Sequence, residues 1–135
     1  MKILLSALTI FCLILFNSCK SDSGGGGNAF GTGPGGGTGG VTFVITQGAG
    51  NQGGTILYAS PSTAVTVTNV NYSVVNSTTK GDIPGNGTTV YPANQPVSIG
   101  EFQTQPGLQY VLVFTGKLGS ATGTAYSVTS NYTVQ

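Results

Sequence analysis

The sequence predicts an all-β chain: an antiparallel β-sandwich over residues 41–135, preceded by a signal-peptide helix and a disordered glycine-rich linker. Three observations predict it. From Val41 onward apolar residues alternate with hydroxyl and amide side chains, the period of half-buried strands, and no segment sustains the 3.6-residue period of a helix. β-branched and aromatic residues are frequent in this second half, whereas Gly24 to Gly40 is glycine at eleven of its seventeen positions. Ahead of both, an apolar run stops at a single cysteine, Cys19.

The first element is residues 1–18, MKILLSALTIFCLILFNS. Lys2 supplies a positive start, and Ile3 to Phe16 is an almost unbroken apolar run of 14 residues. A membrane-spanning helix needs roughly 20, so the run fits the hydrophobic region of a secretory signal. Plain signal cleavage expects small residues at the last and third-last positions; Ser18 is small and Phe16 is not.

Cys19 accounts for the difference. LFNSC resembles a bacterial lipoprotein box, in the relaxed form of Bacteroidetes and spirochaete lipoproteins; Phe16 and Asn17 depart from the commonest form, which has Leu and then Ala or Ser. Cys12 is a poor rival, since Phe11 precedes it and it lies inside the apolar run. The resemblance implies cleavage between Ser18 and Cys19, and a diacylglycerol and palmitate-type acyl chain on Cys19. Each buried methylene contributes about 0.8 kcal/mol, so two or three chains anchor a protein firmly where one holds marginally. Lys20, in place of the Asp associated with inner-membrane retention, implies the outer membrane. Lys20 and Asp22 also partly resemble a surface-export sorting signal, which leaves a periplasmic or a cell-surface orientation open.

Residues 19–40 carry the lipidated cysteine and the linker. Glycine at this density cannot bury enough surface to offset its ordering entropy. The 22 steps from Cys19 to Val41 give an r.m.s. span of roughly 25 Å and an extended reach of about 75 Å. GTGPGG (Gly31, Gly33, Gly36) matches a dinucleotide fingerprint in form alone, because no strand precedes it and no helix follows.

Residues 41–135 are the domain. Val41, Phe43 and Ile45 share one face of a first strand, and Ile56 and Tyr58 share a face of a second. Val65 and Val67 continue in one phase, and Val70, Tyr72 and Val74 follow in the other, which predicts a bulge near Thr68–Asn69. GDIPGNG and YPANQP read as loops, with short strands at TTVY and PVSI. Leu108, Tyr110, Leu112 and Phe114 line one strand face, Tyr126, Val128, Tyr132 and Val134 another, and the glycines of GKLGSATG join the two as a hairpin. Six to eight short strands in this length predict a sandwich. PGLQYVLVF resembles the approach to strand F of immunoglobulin-like and fibronectin type III domains, and the resemblance implies a tyrosine-corner role for Tyr110, its hydroxyl bonding back to upstream backbone. The Cys–Trp–Cys set of antibody domains is absent.

Composition limits the chemistry. Charged residues are 5% of the chain, and His, Trp and Arg do not occur. After Cys19 there is neither Cys nor His, which excludes a disulfide and a Cys/His metal site in the domain. The domain's titratable acid–base groups are Lys80, Asp82, Glu101 and Lys117. Lys80 and Asp82 flank one glycine and read as a solvated pair. Asp82 and Glu101 are the sole carboxylate pair for glycosidase-type chemistry. DIPGNG offers one carboxylate and one amide, short of the oxygens a calcium loop needs. The glycosylation-type triplets at Asn71, Asn76, Asn86 and Asn131 are expected by chance in such a composition. A formal net charge of +1 does not point to nucleic acid.

These readings predict a non-enzymatic, lipid-anchored cell-envelope protein with no cofactor beyond the lipid on Cys19, presenting an Ig-like domain for a binding or structural role. Two alternatives stand beside it. Low charge, edge strands and Thr/Asn-rich faces suit a subunit of a surface fibre or assembly joined by strand addition. Tyr58, Tyr72, Tyr91, Tyr110, Tyr126 and Tyr132 could instead offer a glycan-stacking face, although most occupy core-facing positions.

Overall fold

Alternation becomes pairing in the computed structural model, which describes residues 40–135. The predicted signal segment 1–18, with Ser18, and the lipid-bearing Cys19, the sorting residues Lys20 and Asp22 and the linker as far as residue 39 lie outside the described residues. Eight strands follow in order: β1 (Phe43–Ala49), β2 (Thr55–Pro61), β3 (Val65–Val74), β4 (Lys80–Pro84), β5 (Val90–Tyr91), β6 (Val97–Phe102), β7 (Gln109–Leu118) and β8 (Ala125–Thr133). They form a three-stranded sheet, β1-β2-β6, and a second sheet, β4-β3-β7-β8, with β5 also paired to β3. Every pairing is antiparallel. No helix occurs among the described residues.

The two sheets enclose one apolar core. β2 contributes Leu57 and Ala59, β3 contributes Val65, Val70 and Val74, and β7 contributes Tyr110, Leu112 and Phe114. The ring of Phe43 stacks on that of Phe114, with centroids 4.1 Å apart and planes inclined by 10°, so β1 and β7 meet across the layers. Toward the other end Phe102 of β6 meets Tyr72 and Tyr110 edge-on, at 5.2 and 5.5 Å. Offset and edge-on geometries such as these suit aromatic quadrupoles and add to the burial itself.

The phase change in β3 is a bulge. Val67 pairs with Gly116 and Asn69 with Thr115, so Thr68 is the extra residue, and Val65 and Val70 both reach the core. The hydroxyl of Thr68 donates to the Thr115 carbonyl at 3.0 Å, one of the bonds available where the ladder is interrupted. The β7–β8 hairpin forms as expected, with Tyr110 opposite Tyr132 and Phe114 opposite Val128.

Three expectations are corrected. In β2 the core face is Leu57 and Ala59, not Ile56 and Tyr58, which are half-buried. GDIPGNG is not all loop: its first residues belong to β4, because Ile83 sits opposite Val70 and packs against the core as the strand's one inward anchor. The tyrosine that bonds back to upstream backbone is Tyr126, whose hydroxyl donates to the Thr66 carbonyl at 3.0 Å. Tyr110 is buried and packs on Phe102, and its hydroxyl makes no hydrogen bond among the described residues.

The two sides of the sandwich differ. Along the β1/β8 side, Tyr132 donates to Gln47 Oε1 at 2.7 Å, the Gln135 backbone N–H donates to the same oxygen, and Gln47 Nε2 donates to the Gln135 carbonyl. The Ser130 hydroxyl turns toward the carbonyl of Phe43. On the opposite side, between β6 and β4/β5, no such staple closes the layers among the described residues, and a cleft opens.

Candidate functional site

The cleft follows from where the edge strands stop. β4 ends at Pro84, which cannot donate to a ladder, and β5 is only two residues long. The second sheet therefore ends short of the first along this side. The gap has a volume of about 270 Å³. Ile83 and Tyr91 form one wall, Val97 and Ile99 the other, with Val70 and Phe114 at the floor. Among the lining side chains only Tyr91 and Ser98 carry a polar atom. An apolar cavity of about 150 Å³ is enough for a benzene ring, so the chemistry on offer is the shelter of a small apolar group.

The charged side chains lie elsewhere and apart. Glu101, near the end of β6, reaches the loop between β1 and β2. Its Oε1 accepts from the backbone N–H of Gln52 at 2.8 Å and of Gly54 at 3.0 Å, and its Oε2 from that of Asn51 at 3.0 Å. Successive turn N–H groups make a concave anion site, here filled by the protein's own carboxylate. The Gln52 N–H is the largest influence holding the Glu101 carboxyl below its ordinary range; desolvation opposes it, and the Gly54 and Asn51 N–H groups reinforce it. Gly50 is required beside it, since a Cβ there would overlap the carboxylate.

Asp82 lies on the outer face of the second sheet, opposite Asn71. Its carboxylate accepts from the side-chain amides of Asn69 and Asn71. Lys80 stands opposite Ser73 on the same strand pair, and Lys117 lies on β7 opposite Ala125. Asp82 and Glu101 thus fall in different sheets. Among the described residues no group of three or more His, Cys, Asp or Glu could hold a metal ion. In DIPGNG, Asn86 is used locally: its Oδ1 accepts from the N–H groups of Thr88 and Thr89, and its Nδ2 donates to the Thr89 hydroxyl.

Of the tyrosines, Tyr110, Tyr126 and Tyr132 are buried and Tyr58, Tyr72 and Tyr91 are half-buried. Burial raises the hydroxyl of each buried one above its ordinary range, that of Tyr126 to about 12. Among the described residues no tyrosine ring is fully exposed for stacking on a sugar. Asn71, Asn76, Asn86 and Asn131 are all exposed.

Sequence reasoning missed the cleft and the Glu101 clasp. The clasp joins residues 47 to 50 positions apart in the chain, and no local pattern announces it. A carboxylate on an otherwise uncharged strand was the one available signal. Comparison with known proteins finds no family model, no curated protein and no solved structure that matches this chain.

Proposed function

We propose that the chain is a non-enzymatic lipoprotein of a Gram-negative cell envelope, tethered through acylated Cys19 at the outer membrane, whose sandwich acts by binding or by building structure. The observation that carries this reading is the disposition of the domain's charged side chains. Glu101 is consumed by three backbone N–H groups and Asp82 by two side-chain amides. Lys80 lies on β4, two residues from Asp82, and Lys117 on β7, both in the sheet that does not hold Glu101. General acid–base or nucleophilic work needs such groups to converge and to be free to act, and a fold that ties up both of its carboxylates is suited to presenting surfaces.

The strand order supports an Ig-like or fibronectin type III-like assignment for the domain. β1-β2-β6 runs in the order of strands A, B and E, and β4-β3-β7-β8 in the order of C′, C, F and G. Ser18–Cys19 and the glycine-rich stretch before Val41 support the anchor and the tether.

Metabolic labelling with a clickable fatty acid tests the anchor. The wild-type chain takes the label and Cys19→Ala does not; a chain that takes none, or that keeps it without Cys19, overturns the reading.

A further inference from the structure

We propose that two copies of the protein pair through β8, antiparallel and centred on Thr129, joining their second sheets into one. This names the surface, the partner and the register for the strand-addition form of the function above, and it rests on the domain alone, not on the anchor.

A sheet edge presents unpaired N–H and C=O groups, and folded proteins blunt such edges with short strands, charges, proline, bulges or a cover. The described residues form two sheets with four principal edges, and three carry one of those devices. β1 faces the inner side of β8, with Ser130 turned to the Phe43 carbonyl and Gln47 tied to Tyr132. β4 is five residues long and includes Lys80, Asp82 and Pro84. β6 contains a register shift beside Leu57 and Tyr58 and carries Glu101. Among the described residues β8 has none of them. It runs nine residues, AYSVTSNYT, without charge, proline or glycine, and pairs with β7 without a register shift.

The free edge of β8 is also self-complementary. The Val134 N–H donates to the Leu108 carbonyl at 2.9 Å and Leu118 N–H to the Thr124 carbonyl at 2.9 Å. Even-numbered residues therefore bond to β7, and by the alternation of antiparallel ladders the odd-numbered ones direct N–H and C=O outward. Thr129 is the central residue of the strand and is odd-numbered. A two-fold axis at Thr129 sets Ser127 against Asn131 of the second copy, and Ala125 against Thr133, so every outward residue meets an outward residue. Ala125, Ser127, Thr129 and Asn131 are exposed. Thr129 then faces its own counterpart, a favourable cross-strand pair, within an isologous interface.

The test uses the full chain in detergent. Residues that exchange both hydrogen bonds have Cα atoms about 5.5 Å apart, within disulfide reach. Thr129→Cys is expected to give a disulfide-linked dimer on mild oxidation, well above the wild-type background. Ser62→Cys, at an exposed loop position, stays at background. Because Thr129 meets itself, Thr129→Lys and Thr129→Glu are each expected to be monomeric by light scattering, and an equimolar mixture to regain the dimer. Equal cross-linking at positions 129 and 62, a bond from position 129 to some other protein, or a Lys/Glu mixture that stays monomeric overturns the proposal. Pairing retained by Cys19→Ala without label would remove the anchor reading and leave this one standing.

Discussion

The hydroxyl of Tyr126 donates to the carbonyl of Thr66 at 3.0 Å, across the intervening strand β7 and 60 residues of chain. Between them lies Gly116, opposite Tyr126 on one side and Val67 on the other. The β3 bulge disturbs the ladder here, and the phenol supplies a donor to a buried acceptor. Removing it takes away a hydrogen bond in a buried setting, which costs about 0.5–1.5 kcal/mol. Tyr126→Phe should lower the urea midpoint by a corresponding amount at unchanged slope.

The same phenol sets the alkaline limit. Burial pushes Tyr126 up to about 12, against 10.0 for the ordinary side chain. Between those values the folded state holds a proton that the unfolded chain has released. Its contribution is complete below pH 10 and is lost as the pH rises through 12. Tyr110 and Tyr132 are raised as well and act in the same direction. Stability measured from pH 9 to 12 should fall, and less steeply in Tyr126→Phe, by roughly one tyrosine's share.

Gly116→Ala should be worse than Tyr126→Phe. A methyl at 116 would overlap the Thr66 carbonyl oxygen and crowd the Tyr126 hydroxyl. Overpacking of a buried site costs typically about 1–3 kcal/mol and here also breaks the bond, so a loss of roughly 3 kcal/mol or more is expected. The double variant should lose less than the sum, since both changes remove one interaction. Denaturant midpoints of the two single variants and the double variant check this.

Thr66→Val should stabilise the domain. The Thr66 Oγ1 atom is buried without a partner among the described residues, and valine keeps the branched shape a strand favours. An unsatisfied buried hydroxyl carries a desolvation penalty, so the exchange is expected to gain about 1 kcal/mol. A lower melting temperature in Thr66→Val would contradict it.

Acid sensitivity should trace to Glu101. Its carboxyl is held below the ordinary value of 4.5, so the folded state binds fewer protons than the unfolded one as the pH drops past that value. The stabilisation is present above pH 4.5 and is lost as the pH falls through the folded value. Glu101→Gln should melt lower than wild type at neutral pH and show a flatter decline between pH 5 and 3, read by scanning calorimetry.

Sequence alone carried the sandwich a long way. The switch from Val65 and Val67 to Val70, Tyr72 and Val74 located a bulge that the β3–β7 register contains, because side-chain period is a strict property of a strand. It misled in β2, where a tyrosine drew attention from the smaller Leu57 and Ala59 on the other face. β4 was hidden by Gly81, Asp82 and Pro84; an edge strand tolerates all three, and a single inward Ile83 fixes it. Tyr110 looked like the corner residue, but which phenol reaches backbone depends on the notch at Gly116, a tertiary fact. The same is true of the Glu101 clasp and of the cleft beside β6, both made by residues distant in the chain.

The Gln47 staple has a mechanical consequence. β1 is the strand by which the chain enters the domain, and it has a single ladder, to β2. A pull applied ahead of Val41 would strip such a strand away one bond at a time if nothing else held it. Gln47 instead couples it to Tyr132 and Gln135, and Phe43 to Phe114. Tension entering at the first strand is shared with the last strand of the opposite sheet, and the domain resists as a block.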